Sequence, residues 1–237
     1  MAPTARADLW PVLEAHWKLD ETDTGSTLVH DARGGVPGTR MGNVGIGVPG
    51  VSGTAYSFPG QDSAYIDFNR ADMIPQTGPF KLDMWIKTAV SAGRTQYLLS
   101  SYQGTDPGRT LLYMDSSGRI RLQIGGGSGF LLDTPSGTNF ADDEWHQITL
   151  TREKVDPTTD ILRLYIDEIE RDSGVASPNL IIGGGNNHDW QLSGSINVNS
   201  RHFNGLIDDI RVYVPEPSSM VLLLLAAGVL LIRRGRA

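Results

Sequence analysis

From about residue 14 to 213, apolar residues recur at every second position in short runs, and nowhere at helical spacing over a long one. The alternation is clearest in Phe80-Lys-Leu-Asp-Met-Trp-Ile-Lys87 and in Ile161-Leu-Arg-Leu-Tyr-Ile166. Successive side chains of a strand point to opposite faces, so period two describes a strand with one face on a core. Comparable runs are Ala15–Leu19, Ala64–Phe68, Tyr97–Ser101, Thr110–Met114, Arg119–Ile124, Gly129–Asp133, His146–Arg152, Leu180–Ile182 and Leu206–Tyr213. Turn formers separate them, with Asp115-Ser-Ser-Gly118 and Asp156-Pro157 placed where hairpin connections are needed. Many short strands at regular spacing predict an all-β fold, a two-sheet antiparallel sandwich.

The chain's 237 residues suit one such domain, and 39 % hydrophobic content is enough for a sizeable core. With no cysteine, disulfides, thiol catalysis and Cys-ligated zinc are excluded. The formal charge is −7, yet residues 214–237 hold three arginines against one glutamate; the rest has 17 basic and 26 acidic side chains, a net of −9. Such a field repels phosphate backbones and argues against nucleic-acid binding.

Few residues carry an obvious reaction. Asp167, Glu168 and Glu170 offer the paired carboxyls a glycosidase needs, with Glu168 and Glu170 on one face if their strand continues. A solvated turn is the reading preferred for them, as it is for Asp142-Asp-Glu144. The five histidines lack metal-ligand spacing, and Gly45-Ile-Gly-Val-Pro-Gly50 opens no helix and lacks the Lys-Ser/Thr of a phosphate loop. Residues 25–53 read as a turn-rich connection. Gly125–Gly127 and Gly183–Gly185 read as sharp strand exits. Trp17, Trp85 and Trp145 are expected in the core, leaving Trp190 as the best candidate to stack on a sugar ring, with Tyr102 and Tyr113 behind it. In Leu206-Ile-Asp-Asp-Ile-Arg-Val-Tyr213, alternation puts Asp208 on the apolar face with Leu206, Ile210 and Val212, where an unpaired carboxylate costs several kcal/mol.

Four stretches, in order, resemble the LamG-like family of concanavalin A-type jelly rolls. These are Ala15-His-Trp-Lys-Leu-Asp-Glu21 with Asp31; Gly50–Gly60 with Phe80–Lys87; Glu144–Leu150 with Leu162–Asp167; and Phe203-Asn-Gly-Leu-Ile-Asp-Asp-Ile-Arg-Val-Tyr213. The resemblance covers residues 14–213 and implies a jelly roll that binds carbohydrate or another surface polymer without cleaving it. The alternatives it leaves are a structural or adhesive surface protein and a glycan-cleaving enzyme on the same fold. It also implies a structural calcium held by Asp208, with Asp20 and with Gly60 or Asp62; the competing expectation is that backbone N–H groups or an arginine satisfy Asp208. One departure stands out: after Tyr165-Ile-Asp167 the family turns on glycine, whereas Glu168 follows here, so a wider or differently shaped loop is expected.

The two ends read differently from the body. Residues 1–13 contain Ala5-Arg-Ala7, like the end of a signal peptide, but no apolar stretch precedes it. They are either a plain leader or the remnant of a signal whose start lies upstream. Residues 214–237 run Val-Pro215-Glu216-Pro217-Ser-Ser, then an apolar stretch ending at Ile232, then Arg233-Arg234-Gly-Arg236. Met220–Ile232 is thirteen residues, about 20 Å as a helix, and apolar all round. The arginines fit a cytoplasmic stop, which puts the body across the membrane from them. This order resembles a PEP-CTERM sorting signal, with its motif at 215–217, a helix at about 218–232 and a basic end at 233–236. The resemblance implies processing by an exosortase-type membrane protease, transient membrane tethering, and a final place in the cell envelope or extracellular matrix.

Overall fold

The computed structural model describes residues 12–61, 63–70, 73–89, 93–101, 108–125, 129–183, 189–194 and 201–216. They form two antiparallel sheets of eight strands each, stacked as a jelly-roll sandwich, and no helix occurs among them. The first sheet runs β14 (Ile169–Ala176), β13 (Thr159–Ile166), β12 (Trp145–Asp156), β7 (Phe80–Lys87), β16 (Asn204–Val214), β5 (Thr54–Pro59) and β4 (Gly45–Pro49), with β1 (Val12–Trp17) also on β16. The second runs β11 (Phe130–Asp133), β10 (Ile120–Ile124), β9 (Thr110–Met114), β8 (Gln96–Ser101), β15 (Gln191–Leu192), β6 (Tyr65–Asp67), β3 (Gly38–Met41) and β2 (Leu28–Val29).

Alternation fixes which side chains meet. Phe80, Leu82, Met84 and Ile86 of β7 turn inward with Ile148 and Leu150 of β12 and Leu162 and Leu164 of β13. The second sheet supplies Ile66, Phe68, Leu112, Met114, Ile120 and Leu122 to the same core. Fully burying such a side chain contributes about 1.5–3 kcal/mol. Trp17 bridges the layers, its ring 4.8 Å from that of Phe68 and its indole N–H donating to the Val36 carbonyl at 2.6 Å. Trp85 and Trp145 correct the expectation for them: they lie on the outer face of the first sheet, opposite Gln147 and Lys87, and are only half-buried.

One inward position is charged. Arg152 stands opposite Phe80, is 0 % exposed, and pairs with buried Asp160 at 2.8 Å. The same guanidinium donates to the carbonyls of Leu180 at 2.7 Å and Pro178 at 3.0 Å. Residues 180–182 form no strand, contrary to expectation; the Leu180 carbonyl answers this arginine instead of a ladder.

β16 is the spine of the first sheet. β7 flanks it on one side, while β5 and β1 share the other: β5 pairs with Asn204–Ile207, and β1 pairs from Ile210, opposite Trp17, to Val214, opposite Val12. Where β5 gives way to β1, β16 carries an extra residue, with Asp209 at φ 51. This bulge resets the alternation. Ile207 points inward before it, and Ile210 and Val212 after it.

The hairpin between β13 and β14 turns on Asp167 and Glu168 at φ 55 and 64, a two-residue connection. It is tighter than the departure from glycine suggested, and it takes Glu168 out of any strand face shared with Glu170. At the far edges, the Asp172 carboxylate of β14 accepts the Asp133 N–H of β11 at 2.8 Å, closing one side of the sandwich.

Candidate functional site

The outer face of the second sheet gathers planar and hydrogen-bonding side chains in one line. Residues directly opposite in a ladder share a face. The registers place Met41 beside Tyr65, and Tyr97 beside Tyr113, Arg121 and Asp133. β15 is two residues long, and past its end a bridge from Tyr97 to His202 fills the gap. The line therefore runs Tyr65, His202, Tyr97, Tyr113, Arg121, Asp133. Tyr65 and His202 lie 6.2 Å apart, and Tyr97 and Tyr113 6.4 Å apart edge to face. Arg201 stands over the Tyr97 ring at 5.6 Å and Arg121 over the Tyr113 ring at 5.9 Å, both within cation–π range.

Burial is graded along this line. Tyr97 and His202 are each 3 % exposed and form its floor; Tyr65, Tyr113, Arg121 and Asp133 are half-buried, and Arg201 is exposed. Burial pushes the Tyr113 phenol upward, so it stays a neutral donor and acceptor. Asp133 holds Arg121 at 3.1 Å and Arg119 at 3.2 Å, and Asp115 takes Arg119 again at 3.0 Å. Three buried atoms on this face have no hydrogen-bond partner: Arg121 Nε, Asp133 Oδ1 and His202 Nδ1. The next row outward adds Gln123 and exposed Leu131. Of this site the sequence offered only Tyr113 (Tyr102 lies outside the described residues); the other members are one or two outward residues from each of several short strands and carry no local signal.

The residues singled out in the sequence lie elsewhere. Trp190 is 1 % exposed; its ring packs against Gly183 (φ 92), where a side-chain Cβ would come within 3.0 Å of it. It is a core residue and offers no open face to a sugar, which corrects the ligand role expected for it. Asp208 leaves the apolar face, because the bulge after it puts it outward, opposite Trp85. The segment 50–53 then covers it completely. Its Oδ2 accepts the N–H groups of Val51 at 2.8 Å and Ser52 at 3.1 Å, while Oδ1 has no partner. Burial outweighs these hydrogen bonds and pushes the carboxyl up to about 6.

The proposed calcium ligands do not assemble. Asp20 reaches the same segment, but its Oδ1 is occupied by the Thr54 N–H at 2.7 Å. Gly60 follows the opposite end of β5 and lies beside Asn204, four residues from Asp208 along β16, about 13 Å at a strand's rise. Its carbonyl accepts from the Arg94 guanidinium at 2.8 Å, a cation where a second cation would have to sit. Asp62 falls outside the described residues, among which no group of three or more His, Asp or Glu could hold a metal. The orphaned Asp208 oxygen is the one feature that suits a cation; the donors around the other ligands do not. Pro215 and Glu216 follow β16 outside any strand, while Pro217, Arg233, Arg234 and Arg236 lie outside the described residues, as does the apolar run between them. No helix of the described residues is long and apolar enough to cross a membrane.

A cleft of about 440 Å³ opens between Lys18 and Ala32, lined by Asp20, Glu21, Asp23, Leu28 and His30. Glu21 is committed to the Tyr56 hydroxyl and the His30 N–H, both at 2.7 Å.

Among known proteins, the family model Laminin_G_3, concanavalin A-like lectin/glucanases superfamily, matches residues 59–218. Domain 4 of AbnA, a GH43 extracellular arabinanase from Geobacillus stearothermophilus solved with arabinotriose, superposes with a TM-score of 0.62 at 20 % identity, covering 86 % of this chain and 92 % of that one. The binding domain of Paraclostridial Mosquitocidal Protein 1 gives 0.62 at 17 %, covering 90 % of this chain and 51 % of that one. The Ruminococcus gnavus IT-sialidase CBM40, bound to α2,3-sialyllactose, gives 0.54 at 15 %, covering 67 % and 89 %. No curated protein matches in sequence.

Proposed function

The chain belongs to the concanavalin A-like lectin/glucanases superfamily, and from that premise we propose that it is an exported, non-enzymatic carbohydrate-binding protein. The observation that carries the reading is the line on the outer face of the second sheet, where the half-buried Tyr65 and Tyr113 rings and Arg121 stand over a floor of Tyr97 and His202. Rings take the apolar C–H faces of sugars, while Arg121, Gln123 and Asp133 meet hydroxyl groups. The arabinotriose and sialyllactose held by structural neighbours of the same fold support a saccharide ligand. On this face Asp115 and Asp133 are both engaged by arginines and Asp67, in the next row, accepts the Asn69 N–H at 2.8 Å, which suits binding better than acid–base hydrolysis. A glycan array tests this: binding to saccharides, weakened at least tenfold by Tyr113→Ala and without reducing-sugar release, is expected. An array with no saccharide bound refutes it and favours the adhesive reading.

Export and sorting rest on residues 214–237. Pro215-Glu216-Pro217, an apolar run and Arg233, Arg234 and Arg236 in that order support a PEP-CTERM signal processed by an exosortase, with transient tethering to the inner membrane. Intact-mass spectrometry of the exported protein should show the tail removed; a full-length C-terminus would contradict the sorting reading.

A further inference from the structure

We infer that the second-sheet face prefers saccharides bearing an isolated carboxylate, which docks on Arg201; this rests on the carbohydrate-binding reading above. Of the three guanidinium groups on this face, two are neutralised in place. Arg121 and Arg119 share Asp133, and Arg119 also takes Asp115. Arg201 differs. Its side chain donates to the Tyr97 hydroxyl at 2.9 Å, lies over the same ring at 5.6 Å, and among the described residues forms no ion pair.

An exposed arginine commonly forfeits its charge to a neighbouring carboxylate or sweeps freely through solvent. Here the ring and hydroxyl of a buried tyrosine pin the head, so much of the cost of ordering it is met before a ligand arrives. The remaining N–H groups keep the planar fork that matches a carboxylate's two oxygens. Beneath the same line, His202 Nδ1 is buried and unpartnered. With the Tyr97 and Tyr113 rings 6.4 Å apart, a neutral sugar resting on Tyr113 brings the adjoining residue of its chain to Arg201.

Charge also limits the ligand. Residues 1–213 carry a net −9, and Asp133 and Asp115 close the far end of the line. A polyanion would meet repulsion along most of its length; a single acidic residue within a neutral chain meets only the pinned cation. Uronate and sialate residues share this chemistry.

The test is an array of matched oligosaccharides probed with the full chain. Each set holds a neutral chain, the same chain with one uronate or one sialate, the same chain with one sulfate, and a polyuronate. Singly carboxylated members should bind about 10–100-fold more tightly than neutral ones. Arg201→Gln should erase that difference while leaving neutral binding intact, Arg201→Lys should keep part of it, and unchanged melting curves show that both variants fold. Equal binding of neutral and carboxylated members, or a preference that survives Arg201→Gln, overturns the inference while leaving carbohydrate binding intact. Sulfated or polyuronate members bound as well as the singly carboxylated ones would overturn the choice of an isolated carboxylate. Binding of no set at all refutes carbohydrate binding itself, and the inference with it.

Discussion

Replacing Asp160 while leaving Arg152 should be among the most damaging single changes to this domain. Arg152 is 0 % exposed and Asp160 2 %, so neither charge has access to water. The guanidinium keeps the Leu180 and Pro178 carbonyls in Asp160→Leu but loses its counter-ion at 2.8 Å. Removing one partner of a buried pair costs about 3–5 kcal/mol. For a domain of this size each kcal/mol shifts the midpoint by about 2–4 °C, so the loss should be about 6–20 °C. Arg152→Met strands the Asp160 carboxylate instead and should cost a similar amount. The double variant Arg152→Met/Asp160→Leu leaves no charge behind. It forfeits the hydrogen bonds to Leu180 and Pro178, about 1 kcal/mol each, and the longer ones to Gln76 and Ser177, but strands no charge, and so should be more stable than either single variant. Urea unfolding of all four proteins gives the coupling energy directly. A double variant less stable than both singles would refute the reasoning, as would an Asp160→Leu cost below about 1 kcal/mol.

Other expectations follow from single contacts. Burial alone would lower the His146 pKa, but hydrogen bonds to Asp167 at 2.8 Å and Asp142 at 3.0 Å raise it above 6.5. Its stabilising contribution is therefore full below the unfolded value and lost as pH rises through the raised one. The stability gap between wild type and His146→Gln should be wider at about pH 5.5 than at about pH 8.5, and a gap that widens with pH would contradict the ion-pair geometry. Gly183→Ala forces a side chain at φ 92 into the Trp190 ring and should cost about 1–3 kcal/mol in a thermal melt; a change within about 0.5 kcal/mol would show that the ring moves aside. Calcium should leave the melting temperature unmoved, since Gly60 and Arg94 keep the expected ligands apart; a rise that Asp208→Ala abolishes would mean that segment 50–53 rearranges around the ion.

The fold was legible wherever alternation reports burial. β7 and β9 match the runs read from the sequence residue for residue, because both carry inward apolar residues at every second position. Residues 25–53 hid the edge strands β2 and β4 and their neighbour β3, whose short lengths bury little and so leave no periodic signal. β14 was equally quiet: Ile169-Glu-Arg-Asp-Ser-Gly174 is an edge, and its Asp172 serves a neighbouring backbone N–H. In β16 the alternation was read through a bulge that no local residue announces, and this misplaced Asp208. The candidate site was legible only at Tyr113, for a related reason. Tyr97, Tyr113 and Arg121 become neighbours only through register, and register depends on turns and bulges such as the one between Tyr97 and Leu99. Trp190, conspicuous in a polar loop, was the wrong aromatic, since Gly183 makes room for it in the core.

The pairing of Val12 with Val214 has a mechanical meaning. Facing Cα atoms in such a ladder are about 4.5–5.5 Å apart, so the polypeptide enters and leaves the sandwich at one pole. A pull transmitted through residue 214 runs along β16, which is hydrogen-bonded on both flanks, and must shear those bonds together before the strand yields. A short peptide joining residues 12 and 214 would close the domain into a ring, and new termini could then be opened at a distant hairpin such as Asp167–Glu168 without unravelling the core.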